Sequence, residues 1–313
     1  MAVEILTPSL WLAFILLQSL AGYFLVKQKL LNPIVWLFTV LSIVVNHYLL
    51  FEYNGILRML GLIIPLLHAM KIVVAQYHPK GQLSLSHWIV YYFFTVNMNP
   101  GVFNQREKIR ANSSLLKSGL IHMLIGAFII IILRQYAPAS LVDESDLLFW
   151  LLSITALVSL SLILHFGLLP TNTFMLQLLK WPDYPVFRKP FKSKSLSEFW
   201  GSRWNIAFSE MTATAIFKPT ARKLGAATAS FVAFMVSGLL HEVAISLSVM
   251  KGFGLPMLYF LIHGILMTVE KKVFTKSKPG TVWVILCLVL PLPILFHKAF
   301  LLDVIWPILR MMK

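Results

Sequence analysis

LGAATASFVAFMVSGLLHEVAISLSV, residues 224–249, carries one acidic side chain, Glu242, next to a histidine, His241. The stretch is longer than the ~20 residues a helix needs to cross a bilayer. Comparable apolar runs recur at about 9–26, 34–50, 56–76, 118–133, 147–169, 255–270 and 281–297. Two shorter ones, about 88–96 and 299–309, fall below that length. The chain of 313 residues is 58% hydrophobic and 12% charged, whereas a soluble domain carries roughly 25% charged residues. Too little polar surface remains to cover a water-soluble globule. Within lipid only helices and closed barrels satisfy the backbone, and a barrel needs a period-two alternation that these continuous runs lack. The sequence predicts an all-α, polytopic membrane protein of about eight transmembrane helices with re-entrant or interfacial helices besides. Residues 1–313 read as one integral-membrane domain.

The loop charges order these runs. Lys27 and Lys29 follow the first, Glu52 the second and Lys80 the third; Arg106, Lys108, Arg110 and Lys117 precede the fourth. Asp143, Glu144 and Asp146 follow the fourth, and Lys180, Arg188, Lys189, Lys192 and Lys194 the fifth. Lys251 follows the sixth, and Lys271, Lys272, Lys276 and Lys278 the seventh. Basic and non-basic loops alternate if 88–96 does not cross, so the N-terminus is expected outside and the basic loops in the cytosol. The net charge of +15 then reflects topology and contact with anionic headgroups. A nucleic-acid partner is not expected, because no basic run lies in a soluble module. The first run follows Glu4 and not a basic segment, so it reads as a retained span. Cys287 is a lone cysteine in an apolar run, which excludes an internal disulfide framework and a cysteine-based metal site. Asn112-Ser113-Ser114 has the spacing of a glycosylation acceptor but falls in a predicted cytosolic loop.

The longest stretch between spans, 170–223, contains SLSEFWGSRWN, residues 195–205. Ser195 and Glu198 have capping-box spacing, which starts a helix near Leu196; Pro219 is expected to end it. On such a helix Glu198, Ser202, Asn205, Ser209 and Thr212 form one polar stripe. Phe199, Trp200, Ala207, Phe208 and Met211 cover much of the rest. The periodicity predicts an amphipathic interfacial helix with tryptophans at headgroup depth.

Inside the sixth span, an ionisable pair is expensive and marks a bundle interior or a water-filled cavity. Ser230, Ser237, His241 and Ser248 share one helical face. Gly238 permits close approach of another helix or of a substrate chain. His47, His68, His122, His165 and His263 lack an acidic neighbour and read as packing residues, with His165 and His263 the deepest. A histidine in a dry cavity suits general-base work on a hydroxyl, since its unperturbed pKa lies near working pH. An asparagine amide is a usual donor to a developing oxyanion. No G-x-S-x-G nucleophile elbow is present, so direct attack of an alcohol on an activated acyl donor is simpler than a covalent intermediate.

FWGSRWN, followed thirty-six residues after Asn205 by SGLLHE, resembles the membrane-bound O-acyltransferase superfamily. The resemblance rests on roughly 180–250 and is to the wax synthase branch, where E/D-F-W-G-R-R-W-N precedes a membrane-embedded histidine. Against the F-Y-x-D-W-W-N pattern of the sterol and diacylglycerol enzymes, Phe199, Trp204 and Asn205 match, while Trp200, Ser202 and Arg203 depart. The resemblance implies an acyl-CoA-dependent O-acyltransferase with His241 as general base and Asn205 positioning the thioester or stabilising its oxyanion. Glu242, Trp204, Arg203, Ser237 and His263 are supporting candidates. Arg188, Lys189, Lys192 and Lys194 would meet the phosphates of acyl-CoA, a co-substrate with no further cofactor and no metal implied. A lipophilic alcohol would arrive laterally from the bilayer, of the endoplasmic reticulum in a eukaryote or the inner membrane in a bacterium. Two other classes compete. A transporter or proton-conducting protein would use the His241–Glu242 pair, though no inverted repeat is visible. A prenyltransferase or terpene cyclase would need a magnesium-binding acidic cluster, for which Asp143–Asp146 is the sole D-x-x-D.

Overall fold

The computed structural model describes residues 2–28, 32–78, 83–104, 109–136, 147–275 and 277–310, and among them all regular structure is helical. Lys29, Lys80, Arg106, Lys108, Asp143, Glu144, Asp146 and Lys276 lie outside the described residues, and with them the D-x-x-D. α1 (Ala2–Lys27), α2 (Asn32–Leu49) and α3 (Gly55–Tyr77) pack together; α4 (Leu85–Ile89) runs into a π-helical turn, Val90–Phe94. α5 (Ser113–Tyr136) packs on α6 (Leu147–Ile163), which continues through a π turn, Leu164–Leu168, into α7 (Leu169–Leu178). Then come α8 (Leu196–Glu198), a π turn Phe199–Arg203, α9 (Ile206–Thr212), a π turn Ala213–Phe217 and α10 (Lys218–His241), whose backbone breaks from the helix at Gly225, φ 83° and ψ 162°. A further π turn, Glu242–Ser246, leads to α11 (Leu247–Val249) and α12 (Leu255–Val273). The described chain closes with α13 (Thr281–Val289), α14 (Leu292–Leu295), α15 (Lys298–Phe300), a π turn Leu301–Ile305 and α16 (Trp306–Arg310).

Among the described residues, six helices are long and apolar enough to cross a membrane: Pro8–Lys27, Asn32–Leu49, Gly55–Tyr77, Ser113–Gln135, Leu147–Leu178 and Ile206–Val249. Thr281–Leu295 and Lys298–Arg310, bent by 73°, make a seventh if taken as one broken span. The chain is thus a polytopic all-α membrane protein. The run expected at 255–270 is helical as α12, but Glu270, Lys271 and Lys272 crowd its last turn, and it is not among the six. The stretch 88–96 forms only the two short turns of α4 and Val90–Phe94, about 15 Å at the helical rise. Trp88, Tyr91 and Tyr92 are buried there in the core with Met70 and Ile72. The stretch 299–309 is the second limb of the bent pair.

Polar side chains fasten the first three spans where water is absent. Pro65 within α3 has no N–H for the carbonyl of Gly61, and the Trp11 indole donates to that oxygen instead at 3.4 Å. Gln18 donates to Ser42 Oγ at 3.0 Å and to Pro65 O at 3.1 Å, and accepts from the Tyr92 hydroxyl at 3.0 Å. Lys71, fully enclosed, donates to the carbonyls of Tyr91 and Thr95, closing the end of the Val90–Phe94 turn. Asn112 accepts from Ser114 N and Oγ at the start of α5, so it serves a helix terminus.

Candidate active site

The helix expected from Leu196 to Pro219 is broken. Ser195 caps α8 as foreseen, its Oγ accepting from Glu198 N at 3.1 Å. Glu198 does not complete the box; its Oε2 accepts from Lys194 N and Lys278 Nζ, both at 3.1 Å. The chain then widens into a π turn and leaves the helix at Trp204 and Asn205. Two backbone bonds pin the break to the preceding loop, Arg188 N to Arg203 O and Ile206 N to Val186 O, each 2.8 Å. Asn205 sits in the left-handed region, φ 42° and ψ 66°, which asparagine tolerates better than most residues. Its Oδ1 accepts from Phe208 N at 3.2 Å, capping α9. Pro219 does not end the helix. It lies in the first turn of α10 after the wide turn Ala213–Phe217, where a missing N–H and the ring are accommodated.

The first turn of the motif packs against other helices. Leu196 and Phe199 are buried with Val284 and Cys287, which makes Cys287 a packing residue. Glu270 of α12, also buried, accepts from Leu196 N at 2.8 Å and from the Trp283 indole at 3.0 Å. It holds the first turn of α8, a role that an acidic residue at a span's end does not announce in the sequence.

A cavity of about 260 Å³ lies between this motif, α10 and α12, and both Asn205 and His241 line it. Ser209 and Thr212 continue the wall from α9, and Ser230 and Ser237 from α10. The polar stripe is therefore half realised: Asn205, Ser209 and Thr212 face the cavity, while Glu198 and Ser202, before the break, do not. Ser248 leaves the Ser230–Ser237–His241 face because the π turn Glu242–Ser246 shifts the register; its hydroxyl bonds to Ile245 O at 2.7 Å.

His241 Nδ1 is 2.7 Å from Ser237 O. A carbonyl can only accept, so Nδ1 carries the hydrogen and Nε2 holds the lone pair. The ring lies 4.3 Å from that of Phe260 and 5.8 Å from that of Phe208. Phe208 was expected on the apolar face of the motif's helix and instead lines the cavity; Phe260 and Phe234 escaped the sequence reading, since a phenylalanine in an apolar run carries no signal of its own. Ser237 Oγ donates to Ala233 O at 2.8 Å. Gly238 is the predicted point of close approach: a Cβ there would lie 3.0 Å from Met257 Cα on α12.

Other candidates are placed elsewhere. Glu242 turns to the N-terminus of α12, its Oε1 accepting from Gly254 N at 2.8 Å and Met257 N at 3.0 Å. It does not line the cavity or pair with His241, which removes the geometric basis for a His–Glu proton route. Arg203 is spent within the motif: Nε and Nη2 are each 2.7 Å from Glu198 Oε1, and Nη1 donates to Arg188 O and Lys189 O. The backbone N–H of Lys194, ahead of Arg203 and Lys278, holds the Glu198 carboxyl down at about 2. Trp204 lines the cavity and stacks on Phe199 with centroids 5.4 Å apart. His263 lies behind the wall, 3.4 Å from the indole nitrogen of Trp200, and His165 packs against Phe187 and Trp204. Arg188, Lys189, Lys192 and Lys194 are exposed on the loop leading into the motif. Among the described residues no group of three or more His, Cys, Asp or Glu could hold a metal ion.

One cavity within the helix bundle is thus lined by both Asn205 and His241. Residues 181–262 match the pattern of the membrane bound O-acyl transferase family. Among similar proteins, the long-chain-alcohol O-fatty-acyltransferase of Simmondsia chinensis is 35% identical over 108 residues, 32% of this chain and 30% of that protein. The probable long-chain-alcohol O-fatty-acyltransferase 6 of Arabidopsis thaliana is 30% identical over 106 residues, 32% of this chain and 31% of its own. The acyl-CoA–sterol O-acyltransferase 1 of Arabidopsis thaliana is 25% identical over a longer stretch, 171 residues, 52% of this chain and 48% of that one. The matches thus span from under a third to about half of these relatives' lengths.

Proposed function

We propose that the protein is an O-acyltransferase that moves an acyl group from acyl-CoA to the hydroxyl of a lipophilic alcohol, forming an ester. The observation that supports it most is the shared cavity, with Asn205 and His241 on its walls and the histidine fixed with Nε2 as its basic nitrogen. In this reading the alcohol oxygen attacks the thioester carbonyl while Nε2 takes the hydroxyl proton. The Asn205 amide donates to the oxyanion as it forms. Collapse of the tetrahedral intermediate breaks the carbon–sulfur bond, and the thiolate of CoA recovers the proton from the imidazolium. The Nδ1 bond to Ser237 keeps the ring oriented through both transfers. The exposed cations Arg188, Lys189, Lys192 and Lys194 are suited to the phosphates of the donor on the cytosolic side.

Long-chain primary alcohols are the first acceptor class, in keeping with the FWGSRWN element and the names of two of the relatives. A sterol is the second, favoured by the length of the match to the sterol enzyme. Membranes containing the chain, given labelled acyl-CoA and either alcohol, test the proposal. Ester should form, and His241→Ala should abolish it with the protein still present at wild-type level. Unchanged turnover in that variant would remove the base assignment.

A further inference from the structure

A groove of about 200 Å³ runs between α10 and α12, lined by Ser230 and Phe231 of the one and by Gly264, Ile265, Thr268 and Lys272 of the other, among others. Phe231 and Ile265 are 48% and 53% exposed on helices of the membrane bundle, so the groove faces lipid. Its lining is layered by chemistry. Lys272 stands in the last turn of α12, beside Lys271. Its ammonium has no hydrogen-bond or ion-pair partner among the described residues. Glu270, close by in sequence, is buried and spent on Leu196 N and the Trp283 indole. Thr268 and Ser230 form the next layer, Thr268 about 6 Å along the helix from Lys272. Thr268 commits its hydroxyl hydrogen to Gly264 O at 3.0 Å. Ser230 Oγ has no partner among the described residues, so its hydrogen is left for a ligand. Deeper still, Phe231, Ile265 and Gly264 make an apolar floor, Gly264 about 12 Å from Lys272.

We propose that this groove is a binding site for one anionic phospholipid, with its phosphate on Lys272, an ester carbonyl on Ser230 and an acyl chain over Ile265 and Gly264. The order of the layers fixes the occupant: a cation, then a hydroxyl donor, then apolar surface match phosphate, ester and chain. A fatty acid has no ester layer, and a neutral lipid has nothing for the ammonium. The lipid belongs to the leaflet at the basic end of α12, which loop charge makes the cytosolic one, where a lysine near the surface attracts acidic headgroups. The site has a second consequence. Its deep end lies against the wall of the cavity: a Cβ on Gly264 would be 3.5 Å from Phe234 Cβ, and Phe234 lines the space shared by Asn205 and His241. A bound chain backs that ring from the lipid side, so acidic lipid is expected to raise turnover. Binding is independent of the acyl-transfer reading; the effect on turnover rests on it.

The full chain in detergent, titrated with phosphatidylglycerol, phosphatidylcholine or oleate and weighed by native mass spectrometry, tests the site. Wild type should bind phosphatidylglycerol roughly five- to tenfold more tightly than phosphatidylcholine. Lys272→Gln should erase that preference and Lys272→Arg keep it. Lys271→Gln, one residue away and outside the groove, should bind as wild type does. Ser230→Ala should weaken phosphatidylglycerol by roughly fivefold and leave oleate unchanged. Equal losses in Lys271→Gln and Lys272→Gln, the mark of diffuse surface attraction, overturn the site, as does a wild type without preference. Oleate held through Lys272 as tightly as phosphatidylglycerol overturns the phospholipid assignment. In vesicles, esterification should rise with the phosphatidylglycerol fraction for wild type and Lys271→Gln and stay flat for Lys272→Gln. Turnover indifferent to a lipid that does bind overturns the coupling through Phe234. A chain that esterifies nothing overturns the proposed function and leaves the binding site standing.

Discussion

In the proposed reaction Asn205 carries two duties on one amide. Its oxygen caps α9, and its nitrogen donates to the oxyanion. The duties separate by substitution. Asn205→Asp keeps a capping oxygen and a residue type that accepts the left-handed backbone, but replaces the donor by an acceptor. It should cost about 10²–10³ in kcat with little change in melting temperature. Asn205→Ala should lose the donor and about 1 kcal/mol of capping besides, visible as a lower Tm in detergent. Glu198 is tested by acid. Its carboxyl is held at about 2 against an ordinary value of 4.5, so the stability it adds is fully present above that ordinary value and is lost as pH falls through about 2. Thermal unfolding of wild type against Glu198→Gln should differ at neutral pH and converge only near pH 2. That Asn205 and His241 line one cavity is in keeping with the resemblance carried by the motif. The left-handed cap was not: a serine three residues before a glutamate advertised the helix start at Ser195, and nothing marked a second start ten residues later. Arg203 was equally opaque, because a guanidinium one residue from a tryptophan reads as an anion site until its partner Glu198 is seen to fill it.

Helix periodicity succeeded where helices are regular and failed at π turns. Ser230, Ser237 and His241 lie on an unbroken stretch of α10 and do share a face; Ser248, beyond Glu242–Ser246, does not. The amphipathic stripe read through 198–212 crosses both Phe199–Arg203 and the break at Asn205, so only its second half faces the cavity. A hydrophobic run cannot reveal where one extra residue is taken up in a wider turn. A close approach at Gly238 was legible, since a glycine beside polar residues in a span invites one, but its partner α12 was not. Gly238→Ala would set a Cβ 2.8 Å from Met257 Sδ and 3.0 Å from its Cα. The sulfur can swing aside but the backbone cannot, so a loss of about 1–3 kcal/mol is expected, read as a drop in Tm. Gly238→Leu should not accumulate as folded protein.

For the molecule as a whole, membrane class followed from composition, while the number of crossings depends on elements whose ends are charged or bent. α12 ends in Glu270, Lys271 and Lys272, and its acid turned out to hold the motif's first turn. The orientation is open to direct measurement. The cysteine already present, Cys287, is buried, so background labelling should be low. Lys192→Cys should react with an impermeant maleimide only from the cytosolic face, and Lys251→Cys only from the opposite one; the reverse pattern would invert the topology read from loop charge. The wide turn Ala213–Phe217 has a last consequence, for the tolerance of this chain to changes in length. Such a turn absorbs a surplus residue locally. Losing one residue there relaxes the turn to an ordinary one, and the backbone break at Gly225 stands between it and the imidazole. The same loss between Gly225 and His241 winds everything downstream by about 100° and turns the His241 ring out of the cavity, so the ancestry of this segment should record gaps at the first place and none at the second.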